Sequence, residues 1–250
     1  KNLIVNGKAV QFVQEKELAK LPWKDMAIDI VVESTGVFTD PAKARGHIEA
    51  GAKRVIISAP AKGAGAETVL IGANEKLLKK CDISSNASCT TNAASPLIGI
   101  LNDEIGIEKA VLNTTHAYTA SQSLVDAPNA KDLREGRAAA QNMVPASTGA
   151  AKATALAHPS MADKFDGISI RVPVPAGSMV DVTFIAKRPT TVEEVNTARK
   201  AGAKSERWNR VFAVTEEPLV SSDIVGLPYG SIADLALTRV VDGNLVKVMA

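Results

Sequence analysis

A thiol set among hydroxyls is the first place in this sequence where chemistry could happen. Cys89 lies in Ser84-Ser85-Asn86-Ala87-Ser88-Cys89-Thr90-Thr91-Asn92, all polar or small, just ahead of a stretch with helical spacing. A thiol at a helix N-terminus faces unpaired backbone N–H groups, which favour the thiolate and make it a nucleophile. A buried structural cysteine is the other reading of the same residue. Cys81, in Lys-Lys-Cys-Asp-Ile-Ser at the start of an apolar run, fits that other reading better.

A nucleophilic thiol needs a base, and the chain has three histidines. His47 falls in a charged helical segment and His158 precedes a proline, so both are expected at the surface. His116 follows the apolar run Val-Leu-Asn-Thr-Thr, which places it at a strand's end, where catalytic groups of sheet proteins gather. Spacing leaves two readings open: a base for Cys89, or a satisfied core histidine. Residues 147–152 (STGAAK) put hydroxyls and a glycine ahead of a helix-like run. Such a start can hold an anion, or it is a plain N-cap. Residues 63–68 (GAGAET) depart from the dinucleotide fingerprint, and nothing matches a P-loop.

The elements that must hold these residues fall into two regions. Up to about residue 88, apolar runs at 29–33 and 54–59 flank a helical segment at 41–51, a βαβ pattern with parallel strands. Short strands are expected at 69–71 and 82–84. Residues 1–14 alternate as a strand pair around Asn6-Gly7, a hairpin signal. A helix is expected over 91–105, with Pro96 either delaying its start or kinking it. Beyond residue 110, strands are expected at 111–115, 167–174, 180–186, 210–214 and 245–249, with a helix over 192–203. The prolines of 171–175 (RVPVP) confine that run to an edge or a strand end. Residues 119–147 are expected to form an extended loop, and long loops in compact domains are usually functional. The expectation is therefore an α/β region followed by an α+β region with a larger sheet.

Composition excludes several classes. With 250 residues, 46% hydrophobic and 22% charged, the chain can bury a real core. A net charge of +2 without a basic run argues against nucleic acid, and no stretch reaches the ~18 apolar residues of a membrane span. Two cysteines are too few for a disulfide framework, which favours a reducing compartment and a cytoplasmic location. No cluster suggests a metal.

Taken together and in order, SNASCTTN, HAYTASQ, ASTGAAKA, RVPVPAGSMVDVT and EEPLVSSDIVG resemble the phosphorylating glyceraldehyde-3-phosphate dehydrogenase family. The resemblance implies part of a Rossmann-like nucleotide-binding domain over 1–88. A catalytic domain with a large mixed, mainly antiparallel sheet is implied over 89–250. It implies Cys89 as nucleophile and His116 as its base, with a thioester intermediate on Cys89. Thr119 and Arg171 are implied for the substrate's phosphate, and Ser88, Thr90, Thr148 and Gly149 for the attacking inorganic phosphate. Thr35, Gly36 and Ser58 are implied as contacts for NAD or NADP, and a homotetramer as the assembly. The resemblance also implies a Gly-rich start and a Trp-Tyr-Asp-Asn continuation that this sequence does not contain. A chain cut at both ends, inactive as it stands, is therefore expected. Two other readings are a dehydrogenase of erythrose 4-phosphate and a truncated, non-enzymatic binding or assembly module.

Overall fold

Alternation and turn chemistry build the first elements. The computed structural model describes all 250 residues. Strands β1 (Asn2–Val5) and β2 (Lys8–Gln11) pair antiparallel through Asn6 and Gly7, whose φ values of 49° and 75° make the tight hairpin turn. Then follow β3 (Ile30–Glu33), α1 (Pro41–Ala44), α2 (Gly46–Glu49), β4 (Arg54–Ile57), β5 (Glu67–Thr68) and β6 (Ile83–Ser85). The sheet order is β3-β4-β6-β5, with every pairing parallel. Its core is small: Ala44, Val55, Ile57 and Ile83, with Phe38 and Ile48 packed against them.

Residues 1–68 and 76–86 make this first unit, while residues 69–75 group with 87–250 in the second. The strand expected at 69–71 falls two residues earlier, as β5. The Asn74 side chain accepts from the Leu70 N–H at 2.9 Å, which closes a turn beyond β5, and Leu70 is buried beside Ala87 and Ala157.

The second unit begins with α3 (Cys89–Glu104), β7 (Ile107–Ala117), β8 (Val144–Ser147) and α4 (Ala150–Ala157). It continues with β9 (Phe165–Val172), β10 (Ser178–Ala186), α5 (Val192–Lys204), β11 (Phe212–Thr215), β12 (Ser231–Val241) and β13 (Leu245–Met249). Helix α3 starts well before Pro96 and runs through it, so the late start does not occur. The seven strands lie in the order β11-β12-β13-β10-β7-β9-β8. Only β11–β12 and β7–β9 pair parallel, so the sheet is mixed and mainly antiparallel. Along β7 and β10 the period of two turns Leu112, Val180, Val182 and Phe184 to one face, where Leu97, Ile98 and Leu101 of α3 complete the core. Each such fully buried side chain contributes roughly 1.5–3 kcal/mol. Strand β9 ends at Val172, immediately before Pro173, and β8, which carries Pro145, lies at the sheet edge.

Two histidines expected at the surface are buried. The charged neighbours of His47 misled, because the ring turns inward from α2 and is only 4% exposed. His158 leaves the end of α4, bonds Ser95 Oγ at 2.9 Å and sits beside Trp208. Burial, with the positive charge of Arg207 nearby, pushes His158 down to about 4. An unfolded histidine titrates near 6.5, so the unfolded chain takes up the extra proton between those two values. Stability is thus full above about pH 6.5 and falls by up to about 3 kcal/mol by pH 4. Urea unfolding at pH 7 and at pH 4.5 checks this: His158→Gln should shrink the acid loss, and an unchanged difference would clear His158 of the effect.

Candidate active site

Ser88 starts helix α3 with extended backbone, and its Oγ accepts from the Thr91 N–H at 3.1 Å. Cys89 is the first helical residue and its side chain is exposed. On the facing strand, β7 keeps its period of two to the end, so Thr114 and His116 share the helix-covered face with Leu112. His116 Nε2 stands 3.1 Å from Cys89 Sγ, which joins two residues 27 positions apart.

The second ring nitrogen decides what this contact can do. Nδ1 lies between the Ala117 carbonyl at 2.7 Å and Arg171 Nη1 at 2.5 Å; in the tautomer that donates Nδ1–H to the carbonyl, Nε2 is free to take the thiol proton. Partial burial pushes the Cys89 thiol up, but the His116 hydrogen bond and charge, with the Thr90 hydroxyl and N–H, pull it below its ordinary value. The bond to Cys89 raises His116 in turn; burial and the Arg171 charge oppose that rise, while the Ala117 carbonyl adds to it. The two shifts run in the directions that favour a thiolate beside an imidazolium. Cys81 is the opposite case: burial first, then the charge of Glu67, push its thiol up.

Arg171 sits directly opposite His116, because β7 and β9 pair in parallel register. Its Nη1 reaches the Ala117 carbonyl at 3.2 Å and closes on His116 Nδ1. Its Nε is buried without a partner. A guanidinium crowded against another donor, with an N–H unspent, suits an anion that would draw it away.

Thr90 is buried, and its Oγ1 lies 3.3 Å from Ser178 Oγ, which in turn lies 3.1 Å from Thr114 Oγ1. Sequence reasoning did not single out Thr114 or Ser178. Their signal was the β7–β10 register, in which Ser178 faces His116, and no local motif carries that. Thr119 follows β7, with its N–H on Gln122 and its hydroxyl on Ser121. Thr148 accepts from the Ala150 N–H, and Gly149 caps α4. None of these three bonds Cys89 or His116.

In the first unit, Thr35 and Gly36 follow β3 and Ser58 follows β4, at the carboxyl ends of neighbouring parallel strands. All three are exposed. Crevices at such strand ends are where open α/β sheets bind ligands.

Residues 88–250 match the family model described as glyceraldehyde 3-phosphate dehydrogenase, C-terminal domain. The chain belongs to the glyceraldehyde-3-phosphate dehydrogenase family. Residues 1–41 match that family's NAD binding domain. A glyceraldehyde-3-phosphate dehydrogenase of Mycobacterium avium is 51% identical over 93% of this chain and 68% of its own length. Glyceraldehyde-3-phosphate dehydrogenase B of Aspergillus oryzae is 45% identical over 100% of this chain and 74% of its own. The chloroplastic glyceraldehyde-3-phosphate dehydrogenase A of Scenedesmus vacuolatus is 46% identical over 100% and 79%.

The family's cofactor is NAD or NADP, and the first unit's residues fit it. Gly36 has a φ of +74° with open space where a Cβ would stand, so its backbone can be approached closely. The exposed Ser58 hydroxyl at the neighbouring strand end suits ribose or phosphate oxygens, while the Thr35 hydroxyl, whose proton goes to Glu33, can still accept from a ribose hydroxyl.

The two thiols should separate on chemical modification. Limited iodoacetamide treatment with peptide mapping should label Cys89 first. Its rate should stay nearly flat from mildly acidic to neutral pH, whereas Cys81 should react only as pH becomes alkaline. His116→Asn should remove the flat region; preferential labelling of Cys81 would overturn the assignment.

Proposed function

We propose that the full-length protein works as its family does, oxidising glyceraldehyde 3-phosphate with NAD or NADP and inorganic phosphate to 1,3-bisphosphoglycerate, a step of glycolysis. The observation that carries the reading is the 3.1 Å contact between Cys89 and His116, with Arg171 in register beside the base. The relatives' names favour this substrate over erythrose 4-phosphate and over a non-enzymatic module.

The residues divide the work as follows. His116 Nε2 takes the thiol proton, and the Cys89 thiolate adds to the aldehyde carbon. The resulting alkoxide takes the proton back from His116, giving a hemithioacetal on Cys89. Bound nicotinamide dinucleotide supplies the hydride acceptor, and loss of that hydride and the hydroxyl proton leaves a thioester. His116 receives that proton, then stands as the acid beside the next tetrahedral centre. A phosphate oxygen attacks the thioester carbon, the C–S bond breaks, and Cys89 leaves as thiolate. Thr119 and Arg171 hold the substrate's phosphate, which the unspent Arg171 donors support. Ser88, Thr90, Thr148 and Gly149 hold the attacking phosphate; hydroxyls at the starts of α3 and α4 support that role. Thr35, Gly36 and Ser58 contact the dinucleotide.

Assembly as a homotetramer is part of the same reading. The large sheet has helices on one face only, and the other presents Val111, Ile168, Val241 and Leu245, between 38% and 61% exposed. The segment after β7 adds Leu124, Val125, Leu133 and Met143, all 70% exposed or more. Apolar surface of that extent on adjoining strands marks an interaction face. Two free cysteines fit a reducing compartment, and no helix is long and apolar enough to cross a membrane. Cytoplasm is the proposed location.

NADH formation from glyceraldehyde 3-phosphate, NAD and phosphate tests the reaction. Cys89→Ser should abolish it, and His116→Asn should lower kcat by roughly a hundred-fold or more. Arg171→Lys keeps the charge but loses the fork, so it should cost roughly ten-fold or more in kcat/KM on the phosphorylated aldehyde and much less on glyceraldehyde. Equal losses on both would make Arg171 structural. Light scattering at micromolar concentration should give a tetramer, and Ile168→Asp should break it down; a wild-type monomer would remove the assembly reading.

A further inference from the structure

One buried carboxylate in the first unit has no cation beside it and no part in the chemistry described above. Glu33, the last residue of β3, is 4% exposed. Its Oε1 accepts from the Thr35 N–H at 2.8 Å and from the Thr35 hydroxyl at 2.5 Å. Its Oε2 lies 2.9 Å from His47 Nε2, and His47 is equally buried on α2.

The histidine's other nitrogen settles the direction of that bond. Trp23 Nε1 lies 3.0 Å from His47 Nδ1. An indole N–H can only donate, so Nδ1 accepts and carries no proton. The ring's proton is therefore on Nε2, pointing at Glu33. Phe38 closes the other side of the ring, edge-on at 6.3 Å. Burial opposes ionisation of Glu33, yet the donors from Thr35 and His47 outweigh it and hold the carboxyl below its ordinary range.

A buried carboxylate is costly, and packing alone would be served better by an apolar side chain. What the carboxylate does is spend both lobes of one oxygen on one residue. Thr35 is gripped by N–H and hydroxyl together, and the same hydroxyl oxygen accepts from the Val37 N–H at 3.1 Å. The turn over residues 34–37, exposed and carrying Gly36 at positive φ, is thereby held from beneath.

We infer that Glu33, backed by His47 and Trp23, is a positioning group that fixes the Thr35–Gly36 turn in the shape that receives the dinucleotide. The inference rests on the reading of Thr35 and Gly36 as cofactor contacts. Trp23 sets the tautomer of His47, His47 orients the carboxylate, and the carboxylate holds the turn. None of the three touches the cofactor, so each acts on binding and none on the reacting atoms.

The test uses the intact protein, NAD binding by calorimetry, and hydrogen exchange at the Thr35 and Val37 amides. Glu33→Gln puts an amide nitrogen where one acceptor stood. It should weaken NAD by about ten-fold and raise the KM for NAD, because charge-assisted bonds are lost. The kcat at saturating NAD and the labelling rate of Cys89 should stay unchanged. Exchange at both amides should quicken. His47→Gln, whose amide can still donate to Glu33, should bind NAD more tightly than His47→Leu, which cannot. Unchanged affinity and exchange in Glu33→Gln would overturn the inference. If Thr35→Ala weakens NAD while Glu33→Gln does not, the positioning role fails and the cofactor contact stands. If Thr35→Ala leaves NAD binding untouched, the cofactor contact itself fails. Should Glu33→Gln not fold, the His47 pair decides: equal affinities in Gln and Leu overturn the inference.

Discussion

A thiol is a poor nucleophile while it keeps its proton, and an exposed one keeps it up to about pH 8.5. Everything in the second unit that surrounds Cys89 bears on that single equilibrium. The first turn of α3 presents the Thr90 N–H to the sulfur, and Ser88 secures that turn by accepting from the Thr91 N–H. The long helix is anchored by an apolar core on every side, from Ala93 to Leu101. The facing strand must then deliver a histidine within hydrogen-bond reach, which requires β7 to keep its register with β10 from Lys109 to His116. A one-residue slip would turn His116 to the opposite face and leave the sulfur without its imidazole partner. The sheet's order thus serves the 3.1 Å contact. Antiparallel β10 brings Ser178 to one flank of His116, and parallel β9 brings Arg171 to the other.

Buried charge is handled in both units by neutral partners. Arg199, wholly buried on α5, lies against Asn196, Thr238 and the Asp234 carbonyl. Burial lowers it to about 10, which still leaves it charged at neutral pH. Glu33 is the mirror case, an anion held by a hydroxyl, an amide and an uncharged ring. Pairing with an opposite charge would neutralise such groups, whereas dipoles satisfy them and leave the charge standing. In Glu33 that charge is what grips Thr35. In Arg199 it ties α5 to β12, a strand whose register shifts between Asp234 and Arg239.

Local signals carried the sequence reading a long way. Asn6-Gly7 announced its hairpin, the helical spacing over 192–203 announced α5, and Pro173 marked the end of β9. Strand β12 escaped notice because Ser-Ile-Ala-Asp-Leu-Ala-Leu favours helix by composition; only pairing with β11 and β13 makes it extended. Val144–Ser147 was hidden in a polar stretch and is an edge strand through its pairing with β9. At the site, the helix start made Cys89 legible from its own neighbours. The link to His116 was not local, since the two lie 27 positions apart in different elements, α3 and β7, and resemblance rather than spacing singled it out. Ser178 and Thr114 carry no motif at all. They share the site's face only because strands pair, and pairing is not written in any one segment.

The three histidines show how little a residue type says without its partners. Each ring starts from the same chemistry, with one nitrogen able to give a proton and one able to take it. His158 meets burial, the Arg207 charge and a single hydroxyl, and falls to about 4. It is a neutral packing group beside Trp208. His47 meets an indole donor on one side and a carboxylate on the other, so its only proton is committed to Glu33. It transmits position and has no vacant nitrogen with which to move a proton. His116 alone faces an acid weak enough to lose its proton and close enough to give it, with a carbonyl holding the far nitrogen. Its bond to Cys89 raises it, so the imidazolium survives where the thiolate forms. Of the three, only this environment sets the ring against a thiol from which it could gain a proton and to which it could return one, and the trait that marks it in the sequence is its place at the end of a strand.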